Sequence, residues 1–134
     1  MTPHDDIAGL IQTAIDASKN AYVVYSGYAV GAALVAADGR VFTGCNVENA
    51  AYPAGVCAER TALVKAVSEG CREFVAVIVV TRGGGAPCGI CRQALAEFAP
   101  DLRVVIADMD GRVHHDTTLR HLLPLSFGPA DLEG

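Results

Sequence analysis

The 134-residue sequence contains no run of eighteen consecutive apolar residues, so no segment is expected to cross a membrane as a helix. It lacks a basic, apolar leader as well. Met1-Thr2-Pro3-His4-Asp5-Asp6 is acidic and runs into no secretory core, which makes a cytoplasmic location the expectation. Positive charge is scarce: ten Lys and Arg stand against fifteen Asp and Glu, a formal net charge of −5, and the basic residues are scattered. Binding a phosphate backbone requires clustered basic surface, so nucleic acid is not the expected partner and a small neutral substrate fits better. Cysteine is sparse and odd in number, at five, which argues against a disulfide framework. In a reducing compartment such residues point to metal or catalytic roles.

What the chain has in quantity is apolar side chains, 51% of the total, many of them alanine. That suffices for a core within one domain over residues 1–134 and leaves apolar surface for a subunit interface.

Along the chain, Ile7, Leu10, Ile11, Ala14 and Ile15 recur at the spacing of one helix face. Thr2 is the expected cap, with Pro3 at the first helical position and Asp5 and Asp6 in the first turn. A tyrosine-bearing loop follows over residues 21–29. The run 30–36 reads as a strand, Asp38-Gly39 as a hairpin turn, and 40–45 as the returning strand. The segment 57–68 has helical spacing closed by Gly70, and 74–81 is an apolar run typical of a strand covered on both faces. Gly83-Gly84-Gly85 reads as a flexible link. Residues 88–98 form a second such helix before Pro100, and 103–107 another buried strand. A short strand around Val113 and a last helix through Leu123, capped by Thr117 or Thr118, complete the order. Helices crossing between buried strands predict a three-layer α/β/α sandwich on a central mixed five-stranded sheet.

The chemistry concentrates in Cys57-Ala58-Glu59 and, thirty-one residues after Cys57, in Cys88-Gly89-Ile90-Cys91 preceded by Pro87. Cys88 and Cys91 share one face of a helix start, and Cys57 begins another helix. Helix N-termini lower thiol pKa and so prepare thiolates for a metal. Three thiolates fit one zinc ion and leave its fourth position open, the mark of a catalytic rather than a structural site. A Glu two residues after the first ligand, followed later by Pro-Cys-x-x-Cys, is the signature of zinc deaminases, in which the Glu is not a ligand. Arg60 reads either as a donor to the thiolates, offsetting their excess negative charge, or as a solvated helix residue.

Two other readings compete. Cys88-x-x-Cys91 alone resembles a thioredoxin-type redox pair, which leaves Cys57, Glu59, Asn46 and Glu48 without a task. A structural zinc knot needs a fourth ligand, and Cys45 is its only plausible source. Otherwise Cys45 and Cys71 read as small buried hydrophobes and His114-His115 as an exposed turn. Tyr22, Tyr25 and Tyr28 are either core lining or part of a pocket.

The chain resembles the small, single-domain cytidine deaminases of pyrimidine salvage. The likeness runs from about Tyr25 to the Pro129-Ala130-Asp131-Leu132 tail. It is carried by residues 30–33, 43–50, 57–62, 87–93 and 122–127, which include Asn46-Val47-Glu48-Asn49 and the metal motif. The resemblance implies one Zn²⁺ per chain on Cys57, Cys88 and Cys91, with Glu59 as the proton shuttle. Asn46 and Glu48 would bond the ribose, chiefly its 3′-hydroxyl, and the backbone near Ala58 would meet the base. It further implies a homotetramer with shared active sites, in which Tyr52 and Phe127 approach a neighbouring chain's substrate. One departure is visible: Tyr28-Ala29 stands where the family usually has Phe-Pro or Phe-x. The Tyr28 ring can still line the nucleoside pocket, but a buried hydroxyl needs a partner.

The implied reaction is hydrolytic deamination of cytidine and deoxycytidine. Glu59 would take a proton from water, pass one to N3, and deliver one to the departing amine. Asn46 with Glu48 suits sugar hydroxyls, while a carboxylate there repels phosphate, which disfavours a deoxycytidylate substrate. Modified or antibiotic cytosine nucleosides remain alternatives.

Overall fold

The computed structural model describes residues 5–133. Its elements run α1 (Ile7–Ser18), β1 (Gly31–Ala36), β2 (Val41–Cys45), α2 (Ala58–Ser68), β3 (Phe74–Val80), α3 (Gly89–Ala96), β4 (Arg103–Ala107), β5 (Val113–Thr118), α4 (Leu119–Leu122) and α5 (Pro129–Glu133). One five-stranded sheet holds them together in the order β2-β1-β3-β4-β5. Only the β3–β4 pair is parallel, and the other three neighbouring pairs are antiparallel, so the sheet is mixed as expected.

Strand alternation explains the layering. Ala33 and Val35, Ala76, Ile78 and Val80, and Val105 and Ala107 pack with Leu10, Ile11 and Ala14 of α1. The intervening residues Leu34, Val77, Val79, Val104 and Ile106 turn to the opposite face, against Ala62, Leu63 and Ala66 of α2 and Leu95 of α3. Strands buried on both faces read as continuous apolar runs, which is why β3 was legible without alternation.

Several boundaries differ from the sequence reading. Thr2 and Pro3 lie outside the described residues, and Asp6 caps α1 by accepting from the Gly9 amide at 3.1 Å. Asp6 therefore precedes the first turn. On α2, the buried residues are Ala58, Glu59, Ala62, Leu63 and Ala66, and Val64 faces outward. Gly70 follows the helix at φ +89, with its amide bonded to Val67 O and the Cys71 amide to Ala66 O. That is a Schellman-type stop, which glycine reaches without strain. The strand around Val113 spans six residues and carries His114 and His115, so these lie on an edge strand and not in a turn. Gly83-Gly84-Gly85 is tied down: the Gly85 amide donates to Thr81 Oγ1 at 2.7 Å. A side chain at Gly84 would meet the His114 ring at 2.5 Å. The short helix α5 was not anticipated, because its five residues carry no repeat of apolar spacing.

Candidate functional site

Residues 46–48 leave β2 and are clamped between two backbone partners. Tyr22 N donates to Asn46 O, and Glu48 N donates to Tyr22 O, at 3.0 and 2.8 Å. On the other side Val47 and Val56 exchange both amide bonds, at 2.9 and 3.0 Å. Because Val56 precedes Cys57, this small ladder fixes Asn46 and Glu48 beside the start of α2.

Cys57 and Cys88 occupy the N-cap positions of α2 and α3, both with extended backbone, and Cys91 lies in the first turn of α3. The Cys57 and Cys88 sulfurs are 3.8 Å apart and those of Cys88 and Cys91 are 3.5 Å apart. Tetrahedral zinc with Zn–S bonds of about 2.3 Å requires sulfurs about 3.8 Å from one another, so the spacing fits the ion. Among the described residues these three form the one group of potential ligands whose atoms all lie within 4.8 Å. Cys45 is outside that group, and it is part-exposed rather than buried. Cys71 is buried, as its reading as a small hydrophobe requires.

Glu59 is 3% exposed. Burial pushes its carboxyl up from the ordinary value, and the negative charge of Cys57 adds to the rise. A buried acid of raised pKa beside a metal-ligating cluster is suited to take and return a proton. The Cys57 thiol is drawn down to about 5, chiefly by its hydrogen bond with Cys91 and further by Arg60. The Cys91 thiol moves up, chiefly because its own proton is held in the hydrogen bond with Cys57, with burial and the Glu59 charge adding to the rise. Arg60 Nη2 donates to Cys57 Sγ at 3.5 Å.

A cavity of about 570 Å³ opens beside Cys57. Asn46, Glu48, Tyr52 and Arg60 line it, joined by Tyr25, one of the tyrosines read as core lining or pocket, and by Ser26, whose place there was not anticipated. Tyr25 and Tyr52 meet edge to face, with ring centres 6.1 Å apart. Tyr28, Ala58 and Phe127 do not reach the cavity wall. Ala58 is fully buried, while Phe127 is exposed on the tail, its carbonyl bonded by Gln93 Nε2 at 2.8 Å. Arg92 adds a second link from α3 to the same tail, donating to Leu122 O at 2.8 Å. Tyr28 is half-buried beneath the Arg82 guanidinium, which lies 5.0 Å from the ring centre.

A sequence profile for the cytidine and deoxycytidylate deaminase zinc-binding region matches residues 5–108. The chain belongs to this family. A cytidine deaminase of Sporosarcina psychrophila is 47% identical over 130 residues, covering 95% of both chains. One from Halalkalibacterium halodurans is 48% identical over 126 residues, covering 92% of this chain and 95% of its own. The crystal structure of the Burkholderia pseudomallei cytidine deaminase superposes with a TM-score of 0.86 at 49% identity, over 95% of this chain and all of the other. That of the Mycobacterium tuberculosis enzyme gives 0.80 at 39% identity, over 92% and 98%. The zinc-binding region of the family and the thiol cluster of this chain agree on the metal: its cofactor is zinc. Among the described residues no helix is long and apolar enough to cross a membrane.

Proposed function

We infer that the chain catalyses zinc-dependent hydrolysis of cytidine and deoxycytidine to uridine and deoxyuridine, with release of ammonia. The observation that carries this reading is a set of three sulfurs at zinc spacing beside Glu59, whose carboxyl is buried and shifted upward by that burial. Cys57, Cys88 and Cys91 hold one Zn²⁺ per chain. When bound, zinc would supply Lewis acidity and lower the pKa of the attacking water. Glu59 accepts a proton from the attacking water and delivers one to N3, which makes C4 electrophilic. The same carboxylate then takes the remaining proton from the new C4–OH and passes it to the amine, so the C4–N bond breaks as C4=O forms and ammonia leaves. Arg60 offsets part of the thiolate charge.

Asn46 and Glu48 hold the sugar. The Asn46 amide donates to Tyr28 O and accepts from Val30 N, at 2.8 and 2.9 Å, which leaves one N–H and one lone pair unused. A hydroxyl can accept from that N–H and donate to Glu48, whereas a phosphate cannot donate and is repelled. This chemistry favours a nucleoside over a nucleotide.

The active form is a homotetramer with shared sites, in which Tyr52 and Phe127 reach a neighbour's substrate. Their exposure, 77% and 57%, supports that role. Tyr28 backs the sugar loop and the Ala58 backbone meets the base. The whole chain acts as one domain in cytoplasmic pyrimidine salvage.

The test is loss of cytidine absorbance by purified protein of known zinc content, with Glu59→Gln alongside. Wild type holding one zinc per chain should consume cytidine and deoxycytidine, and the variant should not. Zinc-loaded wild type that leaves both untouched would direct the assignment to modified cytosine nucleosides.

A further inference from the structure

Glu48 is not a free carboxylate waiting for a sugar. Its Oε1 accepts from the Tyr25 and Ser26 amides, at 3.0 and 3.1 Å, and its Oε2 accepts from Ser26 Oγ at 2.5 Å. Ser26 Oγ in turn accepts from the Tyr28 amide at 3.0 Å. The Tyr28 carbonyl then receives the Asn46 amide, so the chain of bonds closes on itself: Glu48 to Ser26, Ser26 to Tyr28, Tyr28 to Asn46. A carboxylate offers about four acceptor sites, and three of these are filled, which leaves one, on Oε2.

We propose that Ser26 is a positioning residue for sugar recognition, which turns Glu48 so that its last acceptor site and the free Asn46 N–H converge on a single ribose hydroxyl. The proposal rests on the nucleoside-deaminase reading above and extends it to a residue outside the metal motif. Backbone amides could hold Oε1 without Ser26, but nothing else among the hydrogen bonds of Glu48 fixes Oε2. The hydroxyl also supports the charged form: the Ser26 hydrogen bond is the largest reason that the Glu48 carboxyl sits below its ordinary value. Ser26 is exposed and lines the cavity, so removing its hydroxyl vacates no packed core.

The predicted signature separates positioning from folding. An interaction made equally with substrate and transition state changes KM and leaves kcat alone. In Ser26→Ala, KM for cytidine should rise roughly tenfold, as expected for loss of a hydrogen bond to a charged group, with kcat altered less than about threefold. Ser26→Thr keeps the hydroxyl and should stay within about twofold of wild type in both constants. For 3′-deoxycytidine, which lacks the hydroxyl in question, wild type and Ser26→Ala should differ by less than about twofold. Zinc content and urea midpoint are measured on each variant. Unchanged KM for cytidine in Ser26→Ala, or an equal rise for 3′-deoxycytidine, overturns the proposal. A Ser26→Ala protein that unfolds or loses zinc assigns Ser26 to the fold and overturns it too. Wild type that ignores cytidine altogether refutes the underlying deaminase reading first, before any variant is compared.

Discussion

Gly44 of β2 lies directly under Ala58 of α2: a methyl group added at Gly44 would overlap the Ala58 carbonyl oxygen and stand 2.6 Å from the Ala62 amide nitrogen. The first turn of α2, which carries Glu59 and Arg60, therefore rests on bare backbone. Thr61 secures the same turn through its hydroxyl, whose one proton is shared between Cys45 O at 3.0 Å and Cys57 O at 3.2 Å. The close approach of the α2 start, and with it Cys57, to the end of β2 thus depends on the absence of one side chain.

Gly44→Ala should lower stability by about 1–3 kcal/mol, the usual cost of overpacking where backbone must shift. Because the shift falls on the helix that begins after Cys57, zinc affinity should drop as well. Urea unfolding and chelator competition measure the two effects. An alanine variant with wild-type midpoint and wild-type zinc affinity would remove the argument for this contact.

The sheet and the metal centre were legible in the sequence because their signals are local. β3 announces itself by an unbroken apolar run, and the thiols by spacing at helix starts. Ser26 was not legible, since its partner Glu48 is twenty-two residues away and a serine in a polar loop has no pattern of its own. The Arg92 and Gln93 links to Leu122 and Phe127 escaped for the same reason, spanning thirty and thirty-four residues. α4 is too short for its periodicity to show, and only the Thr118 cap betrayed it. β5 misled because all but one of its residues are exposed, so it lacks the apolar signature of its neighbours.

Glu59→Gln keeps the size and burial of the side chain but cannot carry a proton between water, N3 and the amine. Turnover should fall by at least about 10²–10⁴, the usual share of a general acid–base group, with zinc content unchanged. Single-turnover absorbance and metal analysis on the same sample check both halves. Retained turnover would take the proton shuttle away from Glu59.

Arg60 Nη2 bonds Cys57 Sγ, while its buried Nε has no partner among the described residues. Loss of groups that orient and neutralise metal ligands typically weakens binding by about 10–100-fold. Arg60→Ala should lower zinc affinity by that order in a chelator competition, and Arg60→Lys by less. Equal affinity in all three proteins would return Arg60 to the status of a solvated helix residue.

Asp108 is 8% exposed and ties the turn between β4 and β5 to the edge strand β5. Its Oδ1 accepts from the Asp110 and Arg112 amides, at 2.9 and 3.0 Å, and its Oδ2 meets His114 Nε2 at 2.8 Å. The His114 bond, followed by the Arg112 amide, holds the carboxyl below its ordinary value of 3.8. A depressed folded pKa means that folding favours the ionised form. The resulting stability is fully present above the unfolded pKa and is lost as pH falls through the folded one. Asp108→Asn retains an acceptor for the two amides but not the charge, so it resembles the protonated wild type. Its urea midpoint should lie below that of wild type at neutral pH, and the gap should close as pH drops below 3.8. A gap that stays constant as pH falls well below 3.8 would mean that the charge of Asp108 contributes nothing and that shape alone accounts for the loss.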